Sequence, residues 1–88
     1  MYLDKYASPK WDKYFAELSH VVKIRILKKI KQILINPLKR HLKHGLPFFV
    51  EEIGQYRVVY KIDDSEKVVK FYFVGDHKEY EKWYLSKM

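Results

Sequence analysis

The sequence predicts a small α+β domain in which a short N-terminal strand and two helices pack on one face of an antiparallel sheet, with a short helix closing the chain. Three observations predict it. Two N-terminal segments place apolar residues at helical spacing, three later segments alternate in the manner of strands between short turns, and a final stretch returns to helical spacing. With 88 residues there is room for one modest core, so a single domain over 1–88 is expected.

Tyr2 to Ala7 alternates weakly and reads as a strand that ends at Ser8-Pro9, where Ser8 is placed to cap a helix and Pro9 to open it. Over Pro9 to Leu18, Trp11, Tyr14, Phe15 and Leu18 fall at i, i+3, i+4 and i+7 and form one apolar stripe. Val21 to Ile35 places Val22, Ile26, Leu27, Ile30, Ile33 and Leu34 on one arc, opposite Arg25, Lys28, Lys29, Lys31 and Gln32. Asn36-Pro37 stops this second helix, and Leu38 to Pro47 is expected to be loop. Strands are predicted over Phe48 to Ile53, Tyr56 to Ile62 and Lys67 to Val74, joined by Gly54-Gln55 and by Asp63 to Glu66 into a meander. Alternation assigns Val58, Tyr60, Ile62, Val69, Phe71 and Phe73 to the core face. Arg57, Lys61, Lys70 and Tyr72 fall on a second face that is expected to stay open. His77 to Tyr84 should form a helix carrying His77, Tyr80 and Tyr84 on one side.

Composition narrows the function classes. Eighteen Lys and Arg against 11 Asp and Glu give a net charge of +7, which favours phosphate backbones, anionic membranes or acidic protein segments as partners. The apolar share of 48% and aromatic share of 17% argue against disorder. Cysteine is absent, so neither a disulfide framework nor a thiolate metal site is available, and a cytoplasmic protein is expected. The N-terminus lacks the apolar stretch of a secretory signal, and no run approaches the roughly 20 apolar residues of a membrane span, so the chain is expected to be used whole and away from membranes. His41 and His44 lie three apart, yet no further ligand completes a site; no metal or cofactor is expected.

Two short strings carry a resemblance. Gly54-Gln-Tyr-Arg-Val-Val-Tyr-Lys-Ile-Asp63 resembles the central hairpin of the RelE/ParE toxin superfamily, and Phe73-Val-Gly-Asp-His-Lys-Glu-Tyr80 is similar to the ending of its HigB-type, histidine-bearing members. The order of elements agrees along nearly the whole chain. The resemblance implies a type II toxin that enters the ribosome, cuts mRNA there and blocks translation, held inactive by a cognate antitoxin. It also implies that Arg57 contacts the scissile phosphate and that His77 belongs to the catalytic site. One departure stands out: where many RelE relatives carry basic residues before the hairpin turn, this chain has Val50, Glu51 and Glu52, with Lys70 and Lys78 as the nearest compensation.

The chemistry of these side chains fits that implication. Metal-independent RNA cleavage uses the neighbouring 2′-hydroxyl as nucleophile and needs a base, an acid and a cation for the phosphorane. Imidazole titrates near neutrality, which suits His77 to acid or base work. A guanidinium stays charged and can fork two donors onto phosphate oxygens, which suits Arg57 to the cationic role. Tyr80 and Tyr84 are candidates to stack on a base or position the hydroxyl, and Lys61, Lys70, Tyr72 and Lys78 are candidate RNA contacts. Structural readings stand beside these. His77 could be a capping or surface residue, Arg57 an ion-pair partner of Glu52 across the strands, and Tyr80, Trp83 and Tyr84 packing for the last helix, the reading preferred for Trp83. Two other functions remain open: a ParE-like inhibitor of gyrase, which would not need His77 at a cleavage site, and a catalytically degenerate relative that still binds an antitoxin or nucleic acid.

Overall fold

The computed structural model describes residues 1–37 and 47–87 in the order β1 (Leu3–Tyr6), α1 (Trp11–Ala16), α2 (His20–Ile35), β2 (Phe49–Ile53), β3 (Tyr56–Asp63), β4 (Val68–Asp76) and α3 (His77–Leu85). The loop expected from Leu38, with His41 and His44, lies outside the described residues up to Leu46. The strands form one sheet in the order β1-β4-β3-β2. The three later strands make the expected antiparallel meander, and β1 adds a parallel edge against β4, with Leu3 beside Val68 and Tyr6 beside Phe71, so the complete sheet is mixed.

Helix α1 begins two residues later than expected. The Ser8 hydroxyl accepts from the Lys10 amide at 3.2 Å and the Ser8 carbonyl from the Trp11 amide at 3.1 Å, so Ser8 closes a turn around Pro9 instead of capping the helix. Ser19 does cap α2, accepting from the Val22 amide at 3.3 Å. Val22, Ile26, Ile30 and Ile33 of α2 are buried and Leu34 is half-buried, whereas Leu27 stands 51% exposed. Leu27 lies about 100° round the helix from Ile26, beyond the line along which α2 rests on the sheet.

These helices cover one face of the sheet. Trp11, Leu18, Val22, Ile26, Ile30 and Ile33 meet Ile53, Val58, Tyr60, Val69, Phe71 and Val74 in the main core. Fully buried Tyr60 lies 6.0 Å from Phe71, ring centre to ring centre, and Phe71 lies 5.9 Å from Trp11.

Phe73 departs from the expected face. The register between β3 and β4 shifts between Val59 and Tyr60: Val59 pairs with Phe73 but Tyr60 pairs with Phe71, so Tyr72 is an extra residue in β4. Such a bulge reverses the parity of everything beyond it. Val74 thereby joins the main core, and Phe73 turns to the opposite face to pack with Val59 and Trp83. That face is therefore not open as expected: α3 lies over it, and Phe48, Val50, Tyr14, Tyr72, Tyr80 and Tyr84 complete a second apolar cluster.

Candidate functional site

Register places the two residues that carry the expected chemistry. Arg57, second residue of β3, sits opposite Glu52 of β2 on one side and Gly75 of β4 on the other, while Tyr56 sits opposite Asp76. His77 follows directly as the first residue of α3. Arg57, His77 and Lys78 accordingly line one cleft of about 630 Å³, together with Gly54, Gln55 and Asp76.

Both glycines of the two strings have structural reasons. Gly54 takes φ +59° at the first central position of a two-residue hairpin, the type II′ arrangement that glycine adopts without steric cost. Its carbonyl and that of Tyr56 each accept a hydrogen bond from Arg57 Nη1 at 3.1 Å, and Arg57 Nε lies 3.7 Å from Glu52 Oε1. The Arg57 side chain is 15% exposed, anchored by its own turn with its charge at the cleft. The expected cross-strand pair with Glu52 thus exists alongside the cleft position. At Gly75 any Cβ would stand 2.6 Å from the Phe73 ring and 3.2 Å from Glu79 Cβ, so only glycine lets β4 pass beneath α3.

Helix α3 starts on a capping box. Asp76 Oδ1 accepts from the Glu79 amide at 2.8 Å and Glu79 Oε1 accepts from the Asp76 amide at 3.2 Å, which fixes the helix start on the last residue of the strand. His77, exposed at the first turn, has its Nε2 2.8 Å from Glu81 Oε1 one turn along. Glu81 is the residue that sequence reasoning missed. Its signal was the i, i+4 spacing from His77, which puts both on one helix face.

Tyr80 and Tyr84 do not line the cleft. Their rings meet edge to face at 5.1 Å and both pack against the second cluster, the structural role weighed for them. Burial pushes the Tyr80 phenol above its ordinary value, Tyr84 adds to this, and Arg57 pulls it back. Trp83 is the anchor of α3, stacked on Phe73 at 5.6 Å and edge-on to Phe48 at 5.1 Å.

Lys61, Lys70 and Tyr72 form a separate patch, four residues along β3 from Arg57 and so about 13 Å away. The Lys61 ammonium lies 4.8 Å from the Phe48 ring centre and 5.6 Å from that of Tyr72. Lys70, opposite Lys61, reaches Asp63 at 4.0 Å. Hydrogen bonds from the Glu66 amide and Ser65 hydroxyl hold the Asp63 carboxyl below its ordinary value, and Lys70 assists.

The two acidic residues of β2 face opposite ways. Glu52 joins Arg57 on the α3 side, whereas Glu51 is 8% exposed beneath α2, 3.9 Å from Lys29. Only Glu52 therefore enters the electrostatics of the cleft. A second groove, between α1 and α3, sets Lys10, Lys13 and Lys82 among Glu17 and Glu79 over a floor of Phe73 and Trp83. Those two rings are 2% and 8% exposed, which leaves no face for a base to stack on. Among the described residues no helix is long and apolar enough to cross a membrane.

A family model described as the ParE toxin of type II toxin-antitoxin system, parDE, matches residues 3–80. The chain belongs to this toxin family. Solved structures show that the fold is that of RelE toxins. The isolated E. coli RelE toxin superposes with a TM-score of 0.74 at 20% identity, over 100% of both chains. The intact E. coli RelBE toxin-antitoxin complex gives 0.75 at 22% identity, over 86% of this chain and 96% of that one. The archaeal RelE-RelB complex from Pyrococcus horikoshii gives 0.69 at 20% identity, over 85% and 93%. Comparison with curated protein sequences returned no match. Both strings singled out in the sequence lie within the matched span, and they meet at the cleft.

Proposed function

We propose that this family member is a metal-independent endoribonuclease that cleaves mRNA on the ribosome, with Arg57 and His77 as its catalytic residues. The observation that carries the reading is their convergence: a fixed guanidinium on β3 and an exposed imidazole at the start of α3, brought into one cleft by the β3–β4 register. The 2′-hydroxyl of the bound nucleotide attacks the adjacent phosphorus, the bond from phosphorus to the 5′-oxygen breaks, and a 2′,3′-cyclic phosphate and a 5′-hydroxyl result. His77 exchanges the proton, as base toward the 2′-hydroxyl or acid toward the leaving oxygen. Arg57 stabilises charge on the phosphorane, and its tether to the Gly54 and Tyr56 carbonyls means little reorganisation is needed.

Lys78 supplies a further cation at the cleft, and Lys61, Lys70 and Tyr72 extend a basic, aromatic track along the sheet for the flanking strand. Tyr80 and Tyr84 support the helix that carries His77 instead of touching RNA. The basic face of α2 supplies general attraction to ribosomal RNA. The partner in the cell is an antitoxin, as in the RelE complexes that share the fold, and the site of action is the cytoplasm.

A second reading, inhibition of DNA gyrase, is favoured by the ParE description of the matching family model. Primer extension on mRNA from an in vitro translation reaction separates the two. Cuts within codons are expected from the wild type, with losses of about 10²- to 10⁴-fold for His77→Ala and about 10²- to 10³-fold for Arg57→Ala. Intact mRNA together with inhibited supercoiling by gyrase would overturn the ribonuclease reading. Intact mRNA with neither effect would leave a degenerate relative.

A further inference from the structure

We infer that Glu81 is a positioning residue for His77: it holds the imidazole by Nε2 and leaves Nδ1 as the nitrogen that exchanges a proton with bound RNA. The inference rests on the reading of His77 as catalytic. Helical side chains lean toward the N-terminus, so Glu81 reaches back over the first turn of α3 and meets the ring of His77. The contact is short, 2.8 Å from Nε2 to Oε1. A carboxylate can only accept, so Nε2 carries its hydrogen toward Glu81, and in the neutral ring the lone pair is then on Nδ1. When Nδ1 takes a proton the ring becomes cationic, and Glu81 faces that charge directly.

The surroundings assign this task to Glu81. Among the described residues, the other charged groups at this cleft are Asp76 and Lys78 beside His77 in the chain, Arg57 on β3 with Glu52 of β2 behind it, and the Arg25 guanidinium of α2 against Gly54. Asp76 is committed to the cap of α3 and Glu52 lies against the Arg57 guanidinium. Lys78, Arg57 and Arg25 can only donate. At 57% side-chain exposure His77 has little packing to fix its ring, so its orientation depends on the hydrogen bond.

Nitrogen-15 NMR of the imidazole, at a pH where the ring is neutral, combined with single-turnover cleavage tests this on wild type, Glu81→Ala and Glu81→Gln. Wild type and Glu81→Gln, which keeps an accepting oxygen, should show the Nε2–H tautomer. Glu81→Ala should show a mixture and cleave between about ten- and a hundredfold more slowly, with little change in KM, because the reacting nitrogen is no longer held in place. An Nδ1–H tautomer in the wild type overturns the inference, as does Glu81→Ala that keeps both the wild-type tautomer and the wild-type rate. Full cleavage by His77→Ala would instead sink the reading of His77 as catalytic, and the tautomer would still decide whether Glu81 holds the ring.

Discussion

Replacing Trp83 by alanine should detach the helix that carries His77 while leaving the rest of the domain folded. Trp83 is 8% exposed and supplies the principal contacts of α3 with the sheet, stacked on Phe73 and edge-on to Phe48. A buried tryptophan truncated to alanine typically costs about 3 to 5 kcal/mol. The two ring pairs that are lost account for about 0.5 to 1.5 kcal/mol each of that sum. A nine-residue helix is too short to hold by itself, so once its anchor is gone α3 frays locally and the global loss falls at the lower end, about 3 kcal/mol. Urea unfolding measures the loss. Amide exchange over residues 77–85 should become fast in the variant while β3 and β4 stay protected. RNA cleavage should fall with it, and Trp83→Phe, which keeps a ring on Phe73, should lose clearly less of both. A loss under about 1 kcal/mol with α3 still protected would refute the argument that this one side chain docks the helix.

Gly75→Ala drives a methyl group into the Phe73 ring and should cost about 1 to 3 kcal/mol, read as a lower Tm; an unchanged melting curve would mean the crossing of β4 under α3 is looser than described. Tyr60→Ala empties a fully buried site in the main core and should cost about 3 to 5 kcal/mol in chemical denaturation, so a variant as stable as wild type would contradict the assignment of sheet faces. Tyr6 donates to Asp4 at 2.8 Å, and burial, helped by that carboxylate, pushes its phenol up to about 12. A phenol whose folded value exceeds its unfolded value of 10.0 stabilises the fold fully below pH 10 and loses that contribution between about pH 10 and 12. Stability measured across this window should therefore fall less steeply in Tyr6→Phe, and parallel curves would show that Tyr6 is not the group responsible.

Much of the architecture was legible because apolar spacing in α2 and turn chemistry at Gly54-Gln55 are local signals, and the structure obeys them. What escaped depended on partners distant in sequence. Nothing in the alternation of β4 announces the extra residue at Tyr72, since Val69, Phe71 and Phe73 look like one continuous face until the register with β3 is known. Leu27 fits the apolar arc of α2, and only the line of contact with the sheet leaves it outside. Within the candidate site, Arg57 and His77 were found through the two strings, yet most residues of those strings prove to be architecture. Val58, Val59 and Tyr60 are core, Gly75 is a crossing point, and Asp76 with Glu79 forms the cap. Tyr80 and Tyr84 share a helical side with His77, and both also pack against the second cluster, a long-range contact that the spacing alone does not announce.

The parallel strand β1 bears on how the domain assembles in time. Leu3 pairs with Val68, so the first strand waits for a partner more than sixty residues downstream and closes the longest strand-to-strand loop among the described residues. Closure of that kind is slow, whereas the hairpins of the meander are local and form early. During synthesis the sheet therefore stays incomplete at the β1 edge until β4 has left the ribosome. A protein with this topology completes its four-stranded sheet only once Val68–Asp76 has been made and is free to receive the first strand.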